Sequence, residues 1–162
     1  MAKRKRKRRK RVSREIPAKG RMRDMCDKLW SLAVRADWLN CCAVCGQVSG
    51  CEAHHLVPRE HEATRYDLMN GISLCYRHHQ ADKDLSPHMN AAGWMDWLKT
   101  HHPERAQWYH ENRRPTFEGT KNPQYYIDTL MRLRDYVEPF DFERVCCMEF
   151  TAYLLENHLD SE

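Results

Sequence analysis

Apolar side chains recur at three-to-four spacing from Met22 through Met25, Leu29, Leu32 and Ala33 to Trp38, which predicts an amphipathic helix over 22–39. The pattern then changes. From Asn40 to Ser86 short apolar runs are mixed with Cys and His, Gly46 and Gly50 mark turns, Pro58 closes a run from Cys51 to Val57, and Gly71 opens Ile72-Ser73-Leu74. This stretch reads as a tight knuckle, two short strands and a helix starting near Cys75. Helical patterning returns beyond Pro87. Asn90 to His101 carries Trp94, Trp97 and Leu98 on one side, a short helix follows Pro103, and Asn122-Pro123 supplies an N-cap and first-turn proline for a helix to Tyr136. A last helix is expected from Asp141 to about His158. The fold class is therefore α+β and mostly helical. Its expected divisions are a tail over 1–21, a Cys/His-bearing domain with its leading helix over 22–86, and a helical C-terminal extension over 87–162.

Charge alters this picture at one end. The chain has 162 residues and a net charge of +4. Residues 1–23 hold 13 basic side chains and one acid, a net +12, which leaves 14 basic and 22 acidic residues, a net −8, on the remainder. The run Lys3, Arg4, Lys5, Arg6, Lys7, Arg8, Arg9, Lys10 and Arg11 has almost nothing apolar beside it, so a disordered tail that holds nucleic-acid phosphates is expected. A size of 162 residues suits one domain with an extension and excludes a large multidomain enzyme. No stretch approaches the roughly 20 apolar residues of a membrane helix, and a cytoplasmic protein with no membrane partner is expected.

Eight cysteines stand beside ten histidines, a mixture that suits metal ligation in a reducing compartment better than a disulfide framework. Cys42 and Cys45, followed by Gly46, have the spacing of a zinc knuckle. Cys75 and His78 repeat that spacing about 30 residues later and complete a four-ligand set for structural Zn²⁺; Cys41 and Cys51 lie close enough to compete but read as small buried thiols before ligands. Cys26, Cys146 and Cys147 lie on helical stretches and read as core. The pair His101-His102, together with His88, His110 and His158, has no such frame and reads as ordinary helix-end or surface histidine. Helical spacing makes Trp94, Trp97, Trp108 and Tyr109 packing residues before it makes them base-stacking ones.

Between the two ligand pairs stands Ala53-His54-His55-Leu56-Val57-Pro58-Arg59, then Asn70 15 residues after His55 and His79 nine residues later. This order, framed by the Cys pairs, resembles the HNH nuclease family. The resemblance implies a ββα-metal finger in which His54 and His79 ligate a catalytic ion, His55 is the general base, and Asn70 orients that base through its side-chain amide. Where some members carry a third histidine, one helical turn on, this chain has Lys83. Two protein ligands and more water then favour Mg²⁺, or Mn²⁺. Arg59 and Arg65, between the strands, are candidates for phosphate contacts, or for pairing with Glu60, Glu62 or Asp67. The run Arg65-Tyr66-Asp67-Leu68 through Cys75, with the tryptophan-bearing helix after it, is similar to phage HNH proteins of the NinG/Rap recombination group. That likeness implies DNA hydrolysis to 5′-phosphate and 3′-hydroxyl ends in a bacterial host. It leaves room for a homo-oligomer or a phage protein partner on the C-terminal helices. The competing reading is a noncatalytic zinc-knuckle protein that binds nucleic acid.

Overall fold

The computed structural model describes residues 19–114 and 122–137. The basic run Lys3 to Arg11 and the expected helix from Asp141 lie outside the described residues. Within them are helix α1 (Lys19–Asp37), strand β1 (Cys51–His55), strand β2 (Gly71–Cys75), a five-residue π turn (Arg77–Ala81), and helices α2 (Ala91–His101), α3 (Pro103–Asn112) and α4 (Pro123–Val137). Helices therefore dominate one small two-stranded sheet. No helix among the described residues is long and apolar enough to cross a membrane.

Two cores meet at the sheet. In the first, Met22, Cys26, Leu29, Trp30, Ala33 and Val34 of α1 face Tyr126, Ile127, Leu130, Leu133 and Val137 of α4, each set spaced to form one stripe of a helix. In the second, Ile72, Leu74 and Cys75 of β2 pack with Leu56 against Trp94 and Leu98 of α2 and Ala106 of α3. The helices expected as an extension beyond residue 86 thus supply one wall of each core. Lys19, Gly20 and Arg21, expected in the tail, are the first turn of α1.

The chain leaves α1 through Leu39 and Asn40, both at positive φ (52° and 56°), with the Asn40 amide bonded back to the Arg35 carbonyl at 2.7 Å. This left-handed end turns the backbone toward the knuckle. Arg105 of α3 fixes the same corner from the other side. Its buried guanidinium donates to the carbonyls of Leu68 (2.8 Å) and Gly71 and to Asp37 at 2.6 Å. β1 and β2 pair antiparallel with His54 opposite Ile72 and His55 opposite Gly71. The helix expected from about Cys75 starts later, at Arg77, and its single widened turn closes with the Asp82 amide on the Arg77 carbonyl, 2.8 Å.

Candidate metal centres and active site

The knuckle is a turn that only a residue tolerant of positive φ can close. Gly46 sits at φ 72°, its amide bonded to the Cys42 carbonyl at 2.8 Å, while the amide of Ala43 reaches the Ser73 carbonyl of β2 at 2.8 Å. That last bond brings the knuckle over the end of the hairpin. Cys42 Sγ then lies 3.6 Å from His78 Nδ1, Cys75 Sγ 3.3 Å from the same nitrogen, and Cys45 Sγ 3.9 Å from Cys75 Sγ. A tetrahedral ion with bonds of about 2.0–2.3 Å separates its ligands by about 3.5–3.8 Å, so these residues fit an ion such as zinc. Burial pushes the Cys42 thiol up, but backbone hydrogen bonds from Cys75, Cys45 and Val44 outweigh it and bring the thiol below its ordinary value, whereas burial and the neighbouring Cys42 sulfur push the Cys75 thiol up. Burial holds the His78 imidazole down. Cys41 and Cys51 aim their sulfurs at the carbonyls of Leu39 (3.4 Å) and Gln47 (3.3 Å) instead.

A second cluster forms on the other side of the π turn. His54 Nδ1 is 3.2 Å from His79 Nε2, and His88 Nε2 is 3.3 Å from that same nitrogen. Three imidazoles at bonds of about 2.1 Å lie roughly 3.0 Å apart at right angles and 3.4 Å apart at tetrahedral angles, so the three nitrogens fit one ion. Two residues hold them in place. Glu52 takes the Nδ1 proton of His79 at 2.7 Å, which leaves Nε2 as the bare donor facing the cluster. The buried Ser86 hydroxyl donates to the His79 carbonyl at 2.7 Å and accepts from the His88 amide at 3.2 Å, tying the loop that carries His88 to the turn that carries His79. Burial, and after it the neighbouring histidines, push His54 down to about 3.

Two expectations change here. His88, read from sequence as an ordinary surface histidine, is the third nitrogen of the cluster, while Lys83 is exposed. An all-imidazole donor set does not suit Mg²⁺, which prefers oxygen; it suits borderline ions such as Zn²⁺, Ni²⁺ or Fe²⁺. Glu52 and His54 are two apart on one strand and so share a face, a signal from which Glu52 was open to inference. Nothing in the spacing marks Ser86 or His88, because loop closure alone brings them near.

His55, the next residue of β1, faces the opposite way. Its ring stacks on Trp30 with centroids 3.6 Å apart, and its Nε2 donates to the Arg65 carbonyl at 3.0 Å. That bond fixes the tautomer with a free lone pair on Nδ1. Burial pushes His55 down to about 4, against the Arg65 carbonyl bond, which raises it; the ring is neutral at physiological pH. Asn70 makes its side-chain hydrogen bonds elsewhere than to this ring. It is fully buried, its Oδ1 accepts from the Val57 amide at 2.6 Å, and its Nδ2 donates to the carbonyls of Val57 (3.1 Å) and Thr64 (3.0 Å). Asn70 therefore pins the loop whose Arg65 carbonyl meets His55.

The Arg65 side chain is committed elsewhere. Its guanidinium is buried and grips Asp27 of α1 through Nε (2.8 Å) and Nη2 (2.6 Å), so the expected phosphate contact gives way to a brace between α1 and the loop. Arg59 is exposed, with Glu60 at 4.0 Å, and lies with Asp24 and Asp27 in a separate, carboxylate-rich hollow. The cleft that does open on the histidines, about 460 Å³, is lined by His54, His55 and His88 together with Pro58, Met95, Tyr109 and Arg113 among others.

No protein-family model matches this chain, and no curated protein or solved structure is similar enough to it to count as a match.

Proposed function

We propose that the protein is a metal-dependent DNA endonuclease of the HNH type, with a structural zinc held by Cys42, Cys45, Cys75 and His78 and a second, catalytic ion held by His54, His79 and His88. One observation carries the reading: His54, a member of the three-imidazole cluster, and His55, a neutral, tautomer-fixed imidazole, are consecutive residues of one strand, and both line one cleft. A zinc-knuckle binding module has no need of the second half of that arrangement. The order His54-His55, Asn70, His79 supports the same reading.

In this reading His55 does the proton chemistry. Its Nδ1 lone pair takes a proton from water, and the Arg65 carbonyl on Nε2 stabilises the imidazolium that results. An ion bound by His54, His79 and His88 would supply Lewis-acid stabilisation of charge on the phosphate and the departing 3′ oxygen. His79 keeps its donor nitrogen turned inward because Glu52 holds the opposite one. Cleavage on this plan leaves 5′-phosphate and 3′-hydroxyl ends. A phage recombination or genome-processing role follows from the motif likeness alone.

Supercoiled plasmid incubated with Mn²⁺, Ni²⁺, Zn²⁺ or Mg²⁺ tests the reading. Wild-type protein is expected to nick or break DNA with at least one borderline ion and only poorly with Mg²⁺, and His55→Ala is expected to lower the rate by about 10²–10⁴. Wild type and His55→Ala that bind DNA equally and cleave none of it would return the protein to the noncatalytic class.

A further inference from the structure

The cleft over the histidines has a one-sided electrostatic lining. Three of its side chains are histidines of the site, a fourth is His110, and the remainder are apolar or aromatic apart from Arg113 at the C-terminal end of α3. No carboxylate lines it. Several other arginines of the described chain are taken up by protein: Arg65 by Asp27, Arg105 by Asp37, Arg23 by Glu62, Arg77 by Asp82 and Arg132 by the Tyr66 carbonyl; the exposed Arg59 and Arg114 do not line this cleft. Arg113 is exposed, and among the described residues its side chain makes no ion pair or hydrogen bond. Only its backbone is engaged, capping α3 on the Tyr109 carbonyl at 2.8 Å.

A permanent cation held free at the rim of a site for phosphodiester cleavage has one natural complement. We propose that Arg113 anchors a phosphate of the bound DNA strand at the histidine cleft, and that the neighbouring apolar wall, with Tyr109 and Met95, seats the adjoining nucleoside. The proposal rests on the hydrolytic reading of the same site. Arg113 takes the part that the sequence suggested for Arg59 or Arg65, neither of which lines this cleft. The guanidinium makes charge-assisted, two-pronged bonds to phosphate oxygens, and the apolar lining gives a base a face to stack on. The chain beyond residue 23 is acidic on balance, so a single uncommitted cation in a carboxylate-free cleft selects where on that surface a phosphate can rest.

A binding cycle tests this. Metal-loaded protein carrying His55→Ala, to prevent turnover, is titrated with a short DNA oligonucleotide and with versions bearing one uncharged methylphosphonate linkage at successive positions. Adding Arg113→Met is expected to weaken binding of the native strand about tenfold or more, and Arg113→Lys to restore part of the loss. Thermal stability should not move, since the side chain braces nothing among the described residues. One methylphosphonate position should weaken binding to the protein that retains Arg113 and add no further penalty in Arg113→Met. Equal affinity for the native strand with and without Arg113→Met would overturn the proposal, as would a methylphosphonate penalty that persists in that variant. The two readings separate by outcome. Plasmid cleavage with unchanged KM and kcat in Arg113→Met, on an otherwise wild-type chain, removes the anchor and leaves the nuclease. A positive binding cycle in a chain that cleaves nothing keeps the anchor and removes the nuclease.

Discussion

At the scale of single residues, His54 and His55 can hold opposite duties because adjacent strand positions point to opposite faces. His54 meets His79 and His88; His55 meets Trp30 and the Arg65 carbonyl. The division depends on partners that carry no chemistry themselves. His88 is exposed on a loop, so His88→Ala should leave the fold within about 0.5 kcal/mol of wild type. The same change should lower affinity of the three-histidine cluster for Ni²⁺ or Zn²⁺ by at least about tenfold, as calorimetric titration would record, with Glu52→Gln giving a smaller loss. An unchanged titration in His88→Ala would reduce the cluster to His54 and His79. The meeting of His54 with His79 was legible from their order along the chain. The job of Asn70 was not, since its three bonds go to Val57 and Thr64 in a loop whose path no spacing encodes. Arg65 shows the same limit: a loop arginine among acids reads as solvated or phosphate-binding, and its true partner, Asp27, lies a helix away in sequence.

At the scale of elements, helical periodicity located α1, α2, α3 and α4 to within a few residues, because each buries one stripe against one neighbour. The hairpin was legible from its glycine and proline boundaries. The π turn was not, since five residues are too few to show a period and its shape answers to two clusters at once, His78 toward the thiolates and His79 toward the imidazoles. Two elements approach each other closely at Gly71. A Cβ there would collide with Val34 Cγ2 and stand 3.1 Å from Trp30 Cζ2, so α1 lies on β2 at a distance that only glycine permits. Gly71→Ala must push Val34 and Trp30 outward, and a cost of about 1–3 kcal/mol in urea denaturation is expected. Because Trp30 is the ring on which His55 stacks, the same substitution should lower cleavage more than Val34→Ala, which relieves crowding without adding an atom. Equal activity in both would show that the Trp30 contact does not position His55.

At the scale of the whole molecule, ions in the two clusters would hold the structure together with unequal force. Cys42 and Cys45 come from the knuckle, Cys75 from β2 and His78 from the π turn that follows it, so an ion among them would tie the knuckle to the end of the hairpin beside the single backbone hydrogen bond from Ala43 to Ser73. His54, His79 and His88 already lie against protein, His54 edge-on to Trp94 and His88 tied through Ser86. Thiolates bind borderline ions far more tightly than neutral imidazoles do, and structural zinc contributes directly to folding. Mild chelation should therefore abolish cleavage while circular dichroism and melting temperature stay near their starting values. Exhaustive chelation, or Cys42→Ser, should release the remaining ion and lower the melting temperature sharply, because the hairpin core of Ile72, Leu74 and Cys75 then loses its cover at the Cys42 end. Two separable steps are expected by zinc release followed alongside ellipticity. A single step, with activity and fold lost together, would mean that the imidazole cluster holds the structure as firmly as the thiolate one does.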